Sequence, residues 1–217
     1  EKMAVILQEV VGQKYEHGFY PTISGVGRSI NYYPLGDEKA DEGVVELALG
    51  LGKYIVDGGL CLRVCPYHPD KVLQTSEMEI ALRETQTKFY ALDLDASEGA
   101  DGMMNFQVDD AFNLKTVTVR DADHDGSLKW IVSTFDPYDQ CIYDGYYEGK
   151  NRKIISFSGV LQNGVFPLPE LLQKVLYYGQ KEMARPVEIE FAVNLNEDRS
   201  GEFYLLQIRP MVDNQMQ

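Results

Sequence analysis

Long apolar runs are missing from this chain of 217 residues. No stretch of about 18 apolar residues occurs, so no transmembrane helix and no membrane partner are expected. The N-terminal EKMAVILQEVVG opens on an acid and lacks a small-residue cleavage site, which makes it a poor signal peptide. Positive charge is scarce: 20 Lys and Arg stand against 34 Asp and Glu, a net charge of −14. That balance argues against nucleic acid as a partner of the bulk surface. It leaves room for a nucleotide, because one Arg and one cation can invert a local field. Cysteine and histidine are rare, with 3 of each. Cys61 and Cys65 have a CxxxC spacing with no second pair, so zinc is not expected. Free thiols suit a reducing, cytoplasmic setting. His17, His68 and His124 sit in no recognisable nucleophile or base motif, and His68 reads as a loop residue. A Walker loop, GxxxxGK[ST], is absent.

What is present reads as a globular α+β chain, mostly antiparallel sheet with flanking helices, long enough for one large domain or two small ones. Residues 3–11 predict a strand buried on both faces. Strands are also expected at 22–30, with Gly25 and Gly27 marking a close approach, and at 43–48. A Gly-bounded turn or short helix follows at 50–59, then extended chain at 63–69 and a strand-like stretch at 71–74. Ser76 and Glu79 suggest a capping box opening a helix over 77–89. Residues 92–104 read as an acidic loop, and 106–114 give no clear pattern. Strands at 116–120 and 129–135 are joined by DADHDGS, which predicts a hairpin. Asp121, Asp123, Asp125 and Gly126 match the start of a calcium loop, but its twelfth position is Val132 rather than Glu, so calcium is not expected. A strand at 154–158 is followed by a helix from Phe166 that stops before Pro186.

The most informative stretch is VEIEFAVNLNEDRSGEFYLLQIRPM at 187–211. It predicts two strands, 187–193 and 202–208, around a polar turn. Alternation puts Glu188 and Glu190 on one face and Val187, Ile189, Phe191 and Val193 on the other. Antiparallel pairing would bring Glu190 near Gln207, with Arg209 further along the same face. An ordinary cross-strand ion pair satisfies that pattern. So does a magnesium–phosphate site, since hard cations take oxygen ligands and Arg forks onto phosphate.

The run E-I-E-F…L-L-Q-I-R-P resembles the closing hairpin of the nucleotide-binding domain of phosphoenolpyruvate synthases and pyruvate phosphate dikinases. MAVILQEVVG, Ser24-Gly25-Val26 and ELALGLGKYIVDGG follow the same family's order of segments. The two blocks, 3–59 and 185–211, cover a little over a third of the chain. The resemblance implies an ATP-grasp fold with a core at 1–75 and 162–217 and a divergent, β-rich insertion at about 76–161. It implies ATP and Mg2+ as ligands. Gln8, Glu9 and Val10 would lie at the adenine, and Glu46 and Glu188 near the nucleotide. Glu190 and Gln207 would hold the metal, and Arg209 would act on the transferring phosphoryl group. The implied activity is phosphorylation of a histidine on a separate domain, then of pyruvate. Other acceptors, or a non-catalytic scaffold that keeps the fold, are the alternatives.

The chain departs from the pattern at Lys53, where relatives often have Glu, and at Arg28, where many carry an uncharged residue. The implied partners are an N-terminal lobe, a phosphohistidine domain and a pyruvate-binding domain of the same polypeptide, with the whole protein a possible homodimer. Because the chain opens at the MAV strand, it is expected to be inactive by itself.

Overall fold

The computed structural model describes residues 3–95 and 113–211. Its largest sheet has five strands in the order β12-β11-β3-β4-β5, all antiparallel. These are β3 (Ile23–Arg28), β4 (Val44–Ala48), β5 (Leu62–Val64), β11 (Val187–Leu195) and β12 (Gly201–Pro210). A second sheet joins β1 (Gln13–Tyr15), β2 (Gly18–Tyr20), β6 (Lys88–Leu92) and β7 (Leu114–Thr118). A third joins β10 (Lys153–Ile155), β8 (Val132–Asp136) and β9 (Cys141–Asp144). The α+β class with mostly antiparallel sheets is therefore as expected.

Alternation drives the large sheet. Val187, Ile189, Phe191 and Val193 are all buried, while Glu188 and Glu190 face the other way, half-buried. The apolar face is covered by α5 (Leu168–Met183), which buries Leu168, Leu172 and Leu176. Each such Leu contributes about 2 kcal/mol. Pro169 sits in the first turn of α5, and Ala184 ends the helix in the left-handed conformation at φ 52°. The large core unites this face with Tyr20, Phe89, Leu128, Ile131 and Phe157 from the rest of the chain.

The glycines expected to permit a close approach do so, but the neighbour is a side chain rather than a ligand. A Cβ on Gly25 would lie 2.2 Å from the Phe191 Cζ. Phe191 then stacks on Phe203 of β12, with centroids 5.1 Å apart.

Several sequence-based expectations fail. Residues 3–11 form no strand and are largely exposed, with Met3, Ile6 and Leu7 each at least 90% exposed. No described strand pairs with them, so the apolar run has no cover. The 71–74 stretch turns as a 3-10 helix at Leu73–Thr75. The helix begun near Glu77 is shorter than expected, α2 (Met78–Glu84), because Thr85 is extended and Phe89 belongs to β6. Ser76 does not cap it; its hydroxyl donates to the Leu73 carbonyl at 2.7 Å.

The DADHDGS hairpin is instead helix α3 (Val119–Asp125). Thr118 and Asp121 cap it reciprocally, and Gly126 closes it at φ 73°. The three aspartates diverge. Asp121 bonds Thr118, Asp123 accepts from Tyr146 Oη at 2.8 Å, and Asp125 accepts from Tyr20 Oη at 2.6 Å. The stretches 92–104 and 106–114 lie mostly outside the described residues. Two further short helices are α1 (Lys53–Val56) and α4 (Ser158–Leu161).

Candidate functional site

The polar face of the five-stranded sheet carries the predicted residues in ranks set by register. Glu188 lies opposite Arg209 on β12 and Arg28 on β3. Glu190 lies opposite Gln207 and Val26, and Val26 lies opposite Glu46, which lies opposite Arg63. The cross-strand neighbourhood of Glu190, Gln207 and Arg209 is thus as the alternation predicted.

A β-bulge between Glu190 and Phe191 makes this possible. Ile208 pairs with inward-facing Ile189, and Phe203 pairs with inward-facing Val193. An odd spacing between two residues on one face cannot occur in a regular strand. The extra residue is Leu206, and its carbonyl accepts from Gln8 Nε2 at 3.1 Å. Gln8 is therefore brought to the hairpin although its own segment is not a strand. Glu9 and Val10 are exposed beside it, with no described strand at their backbone.

The charges on this face form a chain. Glu188 Oε2 accepts from Arg28 Nε at 2.8 Å, and its Oε1 accepts from Arg209 Nε at 3.0 Å and also from Arg209 Nη2. Arg28 Nη1 lies 3.7 Å from Glu46 Oε2. Burial pushes the Glu188 carboxyl up, but the hydrogen bonds and charges of Arg209 and Arg28 outweigh it and hold the group below its usual range. Glu188 is well covered, with its side chain 13% exposed, whereas Arg209 is 58% exposed. Arg209 gives Glu188 only part of its five-donor fork, which leaves N–H groups for another anion. Among the described residues, the Glu190 and Gln207 side chains have no hydrogen-bond partner. On the same face, burial and then the Glu46 charge push the Cys61 thiol up to about 11, so it stays protonated at neutral pH.

Arg28 is the residue whose role sequence reasoning missed. It stood out only as a departure from relatives, and the structure makes it the link between Glu188 and Glu46. The single-sequence signal was an Arg on the polar register of β3.

A family model described as "Pyruvate phosphate dikinase, AMP/ATP-binding domain" matches residues 1–217. The chain belongs to this family. A comparison with curated proteins finds no match. The family is one of nucleotide-binding domains of phosphotransferases, which fits a sheet face carrying oxygen donors and guanidiniums. The match also takes in residues 60–184, where no motif had marked the resemblance. No helix among the described residues is long and apolar enough to cross a membrane.

A cavity of about 690 Å³ lies elsewhere, between α3 and the β10 approach, and is lined by Arg120, His124, Tyr146 and Lys150 among others. It shares no residue with the charged face.

Proposed function

We propose that this chain is the ATP-binding part of a phosphotransferase of the phosphoenolpyruvate synthase or pyruvate phosphate dikinase type. In this reading the five-stranded sheet is one lobe of an ATP-grasp fold with its core at 1–75 and 162–217, and about 76–161 is an insertion. The observation that carries the proposal is the register pairing Glu190 with Gln207 and Glu188 with Arg209 on one sheet face.

Glu190 and Gln207 suit magnesium: both offer hard oxygen donors, and neither side chain has a hydrogen-bond partner among the described residues. The bound ion would supply charge neutralisation at the phosphates. The Arg209 guanidinium would turn its unused N–H groups to a phosphate oxygen, where charge builds during transfer. Glu188 would orient Arg209, and Arg28 and Glu46 would extend the same network. Gln8 and the exposed backbone of Glu9 and Val10 would receive the adenine edge. The acceptor would be a histidine on another domain of the same polypeptide, with pyruvate next, in a cytoplasmic protein.

One observation favours a second reading, a domain that keeps the fold without transfer: Glu188 holds both Arg209 and Arg28. The two separate on one experiment. The full-length protein, incubated with ATP labelled at the β-phosphoryl group, should acquire acid-labile, base-stable label. Arg209→Ala should slow that labelling by about 10²–10³-fold. A full-length protein that binds ATP yet never becomes labelled would support the scaffold instead.

A further inference from the structure

Apart from the charged face, the fold gathers three unlike metal-ligating side chains. Cys65-Pro66-Tyr67-His68 follows β5 as a tight turn, closed by the His68 N–H donating to the Cys65 carbonyl at 2.9 Å. Gln173 of α5 fastens the turn by donating to the Pro66 carbonyl at 2.8 Å. Glu42 reaches it from the 3-10 turn Ala40–Glu42. The Glu42 Oε2 lies 3.0 Å from His68 Nε2 and 3.9 Å from Cys65 Sγ, and the three ligand atoms all lie within 4.8 Å of one another. Around tetrahedral zinc, bonds of about 2.0–2.3 Å place ligand atoms roughly 3.3–3.6 Å apart, so small side-chain shifts would close the site.

The surroundings fit a metal better than a nucleophile. Cys65 is fully buried. Its thiol points its hydrogen bond at the carboxylate, not at the imidazole, so His68 is not placed to activate it. Ionising the thiol beside Glu42 would put two anions together, which a dication resolves. The Lys39 N–H donates to the same Glu42 oxygen at 2.9 Å, the kind of outer contact that orients a metal-binding carboxylate. Sulfur, nitrogen and oxygen donors together select zinc-like ions over magnesium or calcium.

We propose that Glu42, Cys65 and His68 bind one zinc-class divalent ion, leaving a fourth position for water or an outside ligand. As the metal–sulfur bond forms, the thiol proton passes to solvent, and His68 binds as the neutral ring. Glu42 also lines a cleft of about 510 Å³ with Asp41, Tyr67 and Gln173, which gives an outside ligand room beside the site. This site shares no residue with the charged face and stands independently of the nucleotide reading.

The test is a cobalt titration of the chelator-treated, reduced protein. One equivalent of Co2+ should produce a thiolate-to-cobalt charge-transfer band, and one equivalent of Zn2+ should bleach it. Cys65→Ser should remove the band, and Glu42→Gln and His68→Gln should each weaken binding at least about tenfold. Cys61→Ser and Cys141→Ser should leave it intact. If Cys65→Ser does not fold, as judged by circular dichroism, the Glu42 and His68 variants decide the matter, since both side chains are partly exposed. No band in the wild type, or a band that ignores Glu42 and His68, would overturn the proposal.

Discussion

At Glu188 two guanidiniums share one carboxylate, and at Glu38 one guanidinium is held by both carboxylate oxygens. The Glu38 pair is the more buried, with its carboxylate side chain 4% exposed. Arg63 Nη2 and Nη1 donate to it at 2.6 and 2.9 Å, and the Leu35 N–H and the Asn31 amide each donate at 2.9 Å. The Arg63 bonds, against burial, bring the Glu38 carboxyl down to about 2 from an ordinary 4.5. A folded value below the unfolded one stabilises the fold above the unfolded value. That stability is lost as pH falls from about 4.5 towards about 2. The contribution is on the order of 2 kcal/mol once the partial exposure of Arg63 is allowed for. Glu38→Gln should therefore flatten the acid limb of a urea-unfolding stability profile in that window. An unchanged limb would mean that the pair contributes nothing. Neither this pair nor Arg28 was legible in the sequence, because both join residues far apart in the chain whose encounter depends on strand order.

Among the elements, the closing hairpin was the most legible, because period-2 alternation over nine residues fixes its two faces. Its bulge was not legible: one extra residue leaves no mark in composition. The bulge and Gly25 serve the same packing, since Phe191 sits over Gly25 of β3 and Phe203 stacks on Phe191. Gly25→Ala should destabilise the fold by about 2 kcal/mol or more through overpacking. Phe191→Leu should recover part of that loss in the double variant, measured by chemical denaturation. Simple additivity would place the strain elsewhere. Helix α3 was misread because DADHDGS has turn composition, while the true signal, Thr118 three residues before Asp121, lay just upstream. Thr118→Ala should cost about 1 kcal/mol of stability in the same assay. A neutral result would deny the cap its role.

For the molecule as a whole, α+β class and sheet type followed from alternation and turn composition, but cover did not. The run at 3–10 reads as a buried strand since an apolar pattern records a need for burial, not its fulfilment. In the structure it is exposed, tied to the hairpin by Gln8 alone among its side chains with a described hydrogen bond. The same holds for function. The hairpin residues converge as the alternation implied, yet convergence on a face is a necessary arrangement for nucleotide binding rather than the event itself. Calorimetric titration of the full-length protein with ATP, with and without magnesium, is the most direct test. Binding should require magnesium, and Glu190→Ala and Arg209→Ala should each weaken it at least about tenfold with the fold intact. ATP binding that ignores magnesium and both substitutions would contradict the placement of the site on this hairpin.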